Sequence, residues 1–504
     1  MWDKYRYALV AILILALVVR LSTLTLPGFI EDDNYVYYSV MLQTIAHGMT
    51  ITDTLSGVPP IQFNEHPGLI YLAAVPAEVL KMNPYWIMKI LPPIVGVAEV
   101  LITYLIMEKL TKKKSAALIA ALLVATIPGM IYKNLSGEWR GESFVPLLMG
   151  IMIYAMLWGA EDSNRTLKSM AAIAVCGAIS IWIWSGGVYV IIPVVFTAIF
   201  ILAYMVAGEQ RALLLGTLFM VITFYLFFAI PNPYVTGAVA QNAATLTISE
   251  QVPTTLPFLL QNFGWAVIFA VIGLMIVYTA KQLTFMKKAI ILSWFFLTAF
   301  FLSLEIRWVV LAAMPIAVLA AIGLQAFLEK INQQGRKIMI LFAVGSTIIL
   351  VIYWLATLAP YSENGGLLPA AAWLSNNTPA NSTVLTLWDD GSVIEGWGHR
   401  QSFTDSMMAG ELQPEFTRFL LARAGNYSFI EKLKPDYLVV RQIWYTEKIG
   451  TEYYTQYQAI VGEGNYTGSP PKYNGSNFQQ LLNGTAPFPI VYRNNDSIIY
   501  KIQK

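Results

Sequence analysis

The chain has 504 residues, of which 57% are hydrophobic and 12% charged, and its mean hydropathy is +0.58. Soluble domains carry about 25% charged residues, so this is not the composition of a soluble enzyme, a disordered chain or a basic nucleic-acid binder. A net charge of +2 points to no polyelectrolyte partner; one cysteine (Cys176) and three histidines leave no internal disulfide, CxxC site or His-based metal cage.

Crossing a bilayer takes about 20 mostly apolar residues. Eleven runs meet that requirement, near 7–27, 89–108, 116–132, 143–160, 169–185, 187–207, 212–230, 257–279, 289–304, 308–326 and 338–359. The first contains Arg20 and lacks a small-residue cleavage site, so it reads as a retained anchor. A further run at 68–80 is short and holds Pro76 and Glu78; it is expected in an external loop, lying in the interface or re-entrant. Fifteen Lys and Arg residues, from Lys4 to Lys337, collect at alternate ends of the runs, against four (Lys81, Lys133, Arg140, Arg307) at the opposite ends. The positive-inside rule makes the first set cytoplasmic, which puts the N-terminus inside and residues 360–504 outside.

Two domains are expected: a membrane body over 1–359, with external loops at 28–88 and 231–256, and an extracytoplasmic domain over 360–504. The second is polar and rich in Asn, Gly and Tyr. There 382–387, 437–441 and 490–492 read as strands and 413–424 as a helix, a mixed α/β domain. Seven Asn-X-Ser/Thr sequons start at Asn376, Asn381, Asn426, Asn465, Asn474, Asn483 and Asn495, and an eighth at Asn134 falls in an external loop. A dense set on one predicted face fits exposure to a glycosylating machine, although an Asn- and Ser-rich surface also produces sequons by chance.

The chemistry is expected in external loops, because charges beside a bilayer are costly. After the first run comes Glu31, Asp32, Asp33, Asn34 and Tyr35. After the third comes Ser136, Gly137, Glu138, Trp139, Arg140, Gly141 and Glu142. If that segment is helical, Glu138 and Glu142 share a face; local pairing with Arg140 would equally satisfy the charges. Thr247, Ile248, Ser249 and Glu250 lie in a loop that holds no Lys or Arg. Arg307, between two apolar runs, has the fork geometry to bind a lipid phosphate, or it pairs with Glu305. Trp388, Asp389, Asp390 and Gly391 form either a recognition loop or a turn. Oxygen ligands without His or Cys suit Mg²⁺ or Mn²⁺. With a phosphate-binding Arg nearby they fit chemistry on a lipid-linked phosphate or pyrophosphate donor. No GxxxxGK loop is present, so nucleotide-driven chemistry has no support.

These residues resemble the catalytic subunit of oligosaccharyltransferase, called AglB in archaea and PglB in bacteria, along most of the chain and in the same order. Asp33 with Tyr35 is similar to the first metal-binding Asp motif. Ser136–Gly137 followed by Glu142 is similar to the second, DXD-type motif. Thr247 to Glu250 (TISE) is similar to the TIXE or SVSE motif, Arg307–Trp308 to an Arg-Phe pair, and Trp388–Asp389–Asp390–Gly391 to the signature WWDYG. Leu387 replaces the first Trp of that signature and Asp390 its Tyr; the first carboxylate of the DXD motif is missing, and Glu138 stands one helical turn before Glu142. Lys133 stands where the family has an Arg that orients these acids, and the DK or MI motif is not placed. The short outer domain looks most like a compact archaeal AglB.

The resemblance implies a polytopic α-helical membrane protein of the GT-C type, with about 11–13 transmembrane helices and a C-terminal extracytoplasmic mixed α/β domain. It implies a multi-pass, single-subunit enzyme of the cell membrane, surrounded by membrane lipids and without nucleic acid. Such an enzyme moves an oligosaccharide en bloc, with inversion, from a dolichyl phosphate or pyrophosphate donor to the Asn of N-X-S/T sequons in an acceptor polypeptide. By that resemblance Asp33, Glu142 (or Glu138) and Glu250 hold Mg²⁺ or Mn²⁺, Asp33 and Glu250 activate the acceptor amide, and Arg307 binds the donor phosphate. Trp388, Asp389, Asp390, Thr247 and Ile248 bind the sequon. The alternatives are a protein O-mannosyltransferase-like enzyme, which lacks the TISE and WWDYG-like pair, and a transporter, whose charges would lie at mid-membrane. No Arg or Lys lies between Glu250 and Thr279, so an acceptor peptide with a neutral residue two positions before the Asn is expected to be glycosylated as fast as one with an acid there. Strict dependence on the acid in a transfer assay would contradict this.

Overall fold

The structure is a computed structural model that describes residues 4–63, 65–229, 254–358, 366–407, 412–441 and 476–502. The described chain forms two compact units. The first takes residues 4–25, 88–229 and 254–358; the second takes 26–87 together with the described parts of 366–502. The loop expected at 28–88 thus belongs mostly with the C-terminal segment.

All eleven apolar runs lie on helices. Among the described residues seven helices are long and apolar enough to cross a membrane, and an eighth if one bent pair is a single span. The chain is therefore a multi-pass helical membrane protein. Three shorter apolar helices, Pro67–Leu80, Lys114–Thr126 and Val145–Gly159, accompany them. The Val309–Lys330 helix is almost wholly buried. Its Gly323 lies against the Phe269 carbonyl of the Ala266–Thr279 helix, and Gly273 of that helix lies against the Leu319 carbonyl. A side chain at either glycine would drive the helices apart, the close approach typical of small residues in membrane interfaces.

Two runs are interrupted. Leu256–Phe263 and Ala266–Thr279 meet at 91°, where Gly264 takes φ +52°. The run at 116–132 stops at Thr126 because Pro128 has no N–H to offer the Val124 carbonyl. Arg20 takes over that role. Its Nη2 donates to the Val124 carbonyl at 3.3 Å and its Nη1 to the Ala125 carbonyl at 3.2 Å. The guanidinium is wholly buried. It fits because Gly96 presents no side chain, and Glu99 is buried one turn further along the same helix.

The second unit is built on a five-stranded sheet, β1 (Thr383–Leu385), β2 (Gln401–Ser402), β3 (Tyr437–Arg441), β4 (Ile490–Arg493) and β5 (Ser497–Lys501), in the order β2-β1-β3-β5-β4. β1 runs parallel to β2 and β3; β5 is antiparallel to β3 and β4. Every residue of β3 is buried, as its unbroken Tyr-Leu-Val-Val run requires of a central strand. Leu385, Phe416, Leu438, Val440 and Leu481 share one core. The 26–87 segment joins this sheet at its β2 edge: Ser402 N donates to the Leu55 carbonyl at 2.9 Å, and Gln401 Nε2 to the Gly57 carbonyl at 2.7 Å.

Replacing Arg20 by Leu leaves the buried Val124 and Ala125 carbonyls without their donors and is expected to cost about 1–3 kcal/mol. Thermal unfolding in detergent should show a lowered midpoint for this variant, and an unchanged midpoint would contradict the role.

Candidate active site

The second acidic segment is fixed by its backbone. Gly137 takes φ +90° and Arg140 is extended at φ −134° and ψ 166°, before a single 3-10 turn over Gly141–Ser143. No α-helix spans 138–142, so Glu138 and Glu142 do not share a helical face as the sequence allowed. Glu138 is wholly buried and stands 3.6 Å from the Lys133 ammonium. Glu142 is 2% exposed, and its Oε1 accepts from Arg307 Nη2 at 2.9 Å. Its Oε2 lies 4.0 Å from Arg140 Nε.

Neighbouring helices staple this segment. Ser136 N donates to the Arg20 carbonyl at 2.9 Å, Thr23 Oγ1 to the Ser136 carbonyl at 2.9 Å, and Asn134 Nδ2 to the Ser143 carbonyl at 3.0 Å. Asn134 is wholly buried, so the sequon starting there is a structural amide and not an exposed acceptor. The sequon asparagines at 376, 381, 426, 483 and 495 are exposed; those at 465 and 474 lie outside the described residues.

Aromatic rings hold Arg307 in place. Trp308 packs on Trp184 at 5.5 Å between ring centroids, on Tyr189 at 5.3 Å and on Phe301 at 5.2 Å. Gly141 presses directly on the Trp184 ring, where no Cβ has room. Trp184 thereby joins the turn carrying Arg307 to the turn carrying Glu142. Beside them opens a cavity of about 210 Å³, lined by Lys133, Arg307, Tyr132, Phe258, Gln261 and Asn262 among others.

Burial alone would push the Glu142 carboxyl up. Arg140, Arg307 and Lys133 outweigh burial and hold it down at about 2. Glu142 is therefore an ionised carboxylate in a dry setting, ready to meet positive charge.

The second unit holds the other candidates. Asp33 opens the Asp33–Ala46 helix, half-buried, where the positive helix end favours an acid. That helix packs against Trp388–Gly396, with Gly396 set directly on the Tyr35 backbone. Tyr35 Oη accepts from Phe29 N at 2.9 Å. The Asp33 helix and the Trp388 helix are thus brought together. Trp388 and Asp389 are half-buried, and Trp388 N donates to Gln413 Oε1 at 3.0 Å. Asp390 is 2% exposed and accepts from Arg441 Nη1 at 2.8 Å. Thr247, Ile248 and Glu250 lie outside the described residues.

Asp33 and Glu142 each offer carboxylate oxygen, the donor type a hard divalent cation takes. Among the described residues no three His, Cys, Asp or Glu side chains converge to hold a metal ion, and Glu250 is not among them. Trp184, Gly141, Arg20 and Arg441 escape sequence reading. Only Arg20 left a signal, as a charge inside an apolar run.

Glu142 lies below the ordinary carboxylate value of 4.5, so the stability its ionisation contributes is complete above about 4.5 and is lost as pH falls toward about 2. Glu142→Gln should remove that part of the acid dependence. An unchanged acid profile in pH-resolved unfolding would contradict the assignment.

The model of the oligosaccharyl transferase STT3 family, N-terminal part, matches residues 7–361. Comparison by sequence with curated proteins finds no match. Among solved structures, the archaeal oligosaccharyltransferase AglB from Archaeoglobus fulgidus, in complex with an inhibitory peptide and a dolichol-phosphate, is similar at a TM-score of 0.74 and 16% identity, over 95% of this chain and 78% of that one. The same enzyme tethered to an acceptor peptide containing the NVT sequon gives 0.73 and 17%, over 95% and 78%. Its complex with Zn and sulfate gives 0.70 and 16%, over 97% and 79%. At these identities the structures show a shared fold. The family match covers most of the chain, and with it this protein belongs to the STT3 family of oligosaccharyl transferases.

Proposed function

We propose that this enzyme transfers an oligosaccharide en bloc from a dolichyl phosphate or pyrophosphate donor to the Asn of N-X-S/T sequons, with inversion at the sugar carbon. The observation that carries this reading is the buried, ionised Glu142 paired to Arg307 at a cavity that Lys133 also lines. A cavity with two cations and an apolar wall of Tyr132 and Phe258 suits a lipid phosphate. The dolichol-phosphate and NVT peptide bound by the Archaeoglobus enzyme support the donor and acceptor classes. The Lys and Arg asymmetry and the exposed sequon asparagines support an extracytoplasmic second unit.

In this reading Arg307 and Lys133 receive the donor phosphate. Asp33 and Glu250 accept hydrogen bonds from the acceptor amide and orient its nitrogen. The N–C bond to the first sugar forms as the sugar carbon's bond to the phosphate oxygen breaks. The amide proton passes to the departing lipid phosphate, which leaves with the electron pair of the broken bond. Asp33, Glu142 and Glu250 would hold Mg²⁺ or Mn²⁺, with Glu138 the substitute the sequence offers; such an ion supplies Lewis acidity at the leaving phosphate. Trp388 and Asp389, with Thr247 and Ile248, read the sequon; a site built around a hydroxyl rejects residues lacking one, because its own polar groups are left unpaired. The enzyme works as a single subunit.

The test is a gel-shift assay with purified protein, a fluorescent N-X-T peptide, host lipid-linked oligosaccharide and Mn²⁺. A shift is expected that disappears with EDTA, with Gln in place of the peptide Asn, or with Glu250→Gln. No shift with a donor preparation that a related enzyme accepts would overturn the reading.

A further inference from the structure

The fourth position of the WWDYG-like segment is Asp390, and the structure encloses it. Asp390 is 2% and Arg441 5% exposed. Arg441 ends β3. Its Nη1 donates to Asp390 Oδ1 at 2.8 Å and its Nε to Asp496 Oδ2 at 2.8 Å. Asp496 is itself set by a turn: Asn494 Oδ1 accepts from Asp496 N at 2.8 Å and from Ser497 N at 2.6 Å. Ser497 then pairs with Arg441 across the β3–β5 ladder. The planar guanidinium is held by a strand, by a turn, and by the first turn of the Trp388–Gly396 helix.

We propose that Arg441 is a positioning residue for the acceptor, and that Asp390 is its strut and not a sequon ligand. The proposal rests on the reading that Trp388 and Asp389 recognise the sequon. Those two residues directly precede Asp390 in the first turn of the helix. Any rotation of that turn moves all three together. Backbone contacts also fix the turn, Trp388 N on Gln413 and Gly391 against the Thr404 carbonyl, and Ser392 Oγ hydrogen-bonds to Ser406 Oγ at 2.8 Å further along the helix. Arg441 supplies a charged side-chain contact to the first turn itself, at Asp390. One guanidinium serves two carboxylates, so removing it takes a cation from beside both Asp390, which is buried, and Asp496. A neutral Tyr at this position, as in WWDYG, would need no such partner.

The test is steady-state kinetics of the full-length enzyme with N-X-T and N-X-S peptides, for wild type, Arg441→Met, Arg441→Lys and Asp390→Asn. Arg441→Met is expected to raise the acceptor KM about tenfold or more, with the donor KM within about twofold and kcat little changed, the pattern of lost acceptor binding. Arg441→Lys should recover part of the loss, because it restores charge without the fork. Asp390→Asn keeps the shape and should move the acceptor KM in the same direction, which keeps the question answerable if Arg441→Met does not fold. An acceptor KM unmoved in every variant that folds, or activity that falls only in step with the folded fraction, overturns the proposal. Wild-type enzyme that transfers nothing to the N-X-T peptide overturns the acceptor reading and this proposal with it.

Discussion

The ion pair between Glu142 and Arg307 sits where two requirements meet. A buried carboxylate must have a partner, and a phosphate-binding site must keep its cation pointed at the ligand. Because Arg307 answers Glu142 at 2.9 Å, the segment 133–143 and the turn 305–308 have one relative placement. The aromatic stack of Trp184, Trp308, Tyr189 and Phe301 then keeps that placement from sliding. Gly141 is part of the same constraint, since the Trp184 ring occupies the space a side chain would need.

Buried charge is met by fixed partners at other places in the chain. Arg20 donates to the carbonyls of a helix that Pro128 interrupts. Lys133 faces Glu138. Arg441 faces Asp390 and Asp496. Each pair costs desolvation and adds little net stability. What each supplies is position. Arg20 and Thr23 hold the start of the acidic segment, Arg307 holds its end, and Arg441 holds the helix of the signature motif. Charges that are expensive to bury are therefore concentrated beside the residues that need accurate placement.

The sequence made the architecture legible because apolar length is a local signal. All eleven apolar runs became helices, and the strands at 437–441 and 490–492 were read from β-branched and aromatic composition; the short strand Gln401–Ser402 and the closing strand Ser497–Lys501 were not. Breaks were harder. Gly264 and Pro128 were visible, yet neither says how sharply a helix turns. Pairings were hardest. Arg20 meets a carbonyl 105 residues away and Arg307 a carboxylate 165 residues away, and periodicity carries no information at that range. The acids Asp33 and Glu142 were singled out in the sequence by their chemistry, as charges beside apolar runs. What the sequence did not contain was backbone shape: Glu138 and Glu142 share no helical face, because Gly137 and the extended Arg140 prevent a helix.

The most direct measurement is the binding of a short-chain polyprenyl phosphate to wild-type enzyme, Arg307→Met and Lys133→Met, with peptide binding measured in parallel. The account predicts weakened lipid-phosphate binding in both variants, more in Arg307→Met, where Glu142 also loses its partner, and unchanged peptide binding. Undiminished lipid-phosphate binding in Arg307→Met would contradict it and move the donor site away from this cavity.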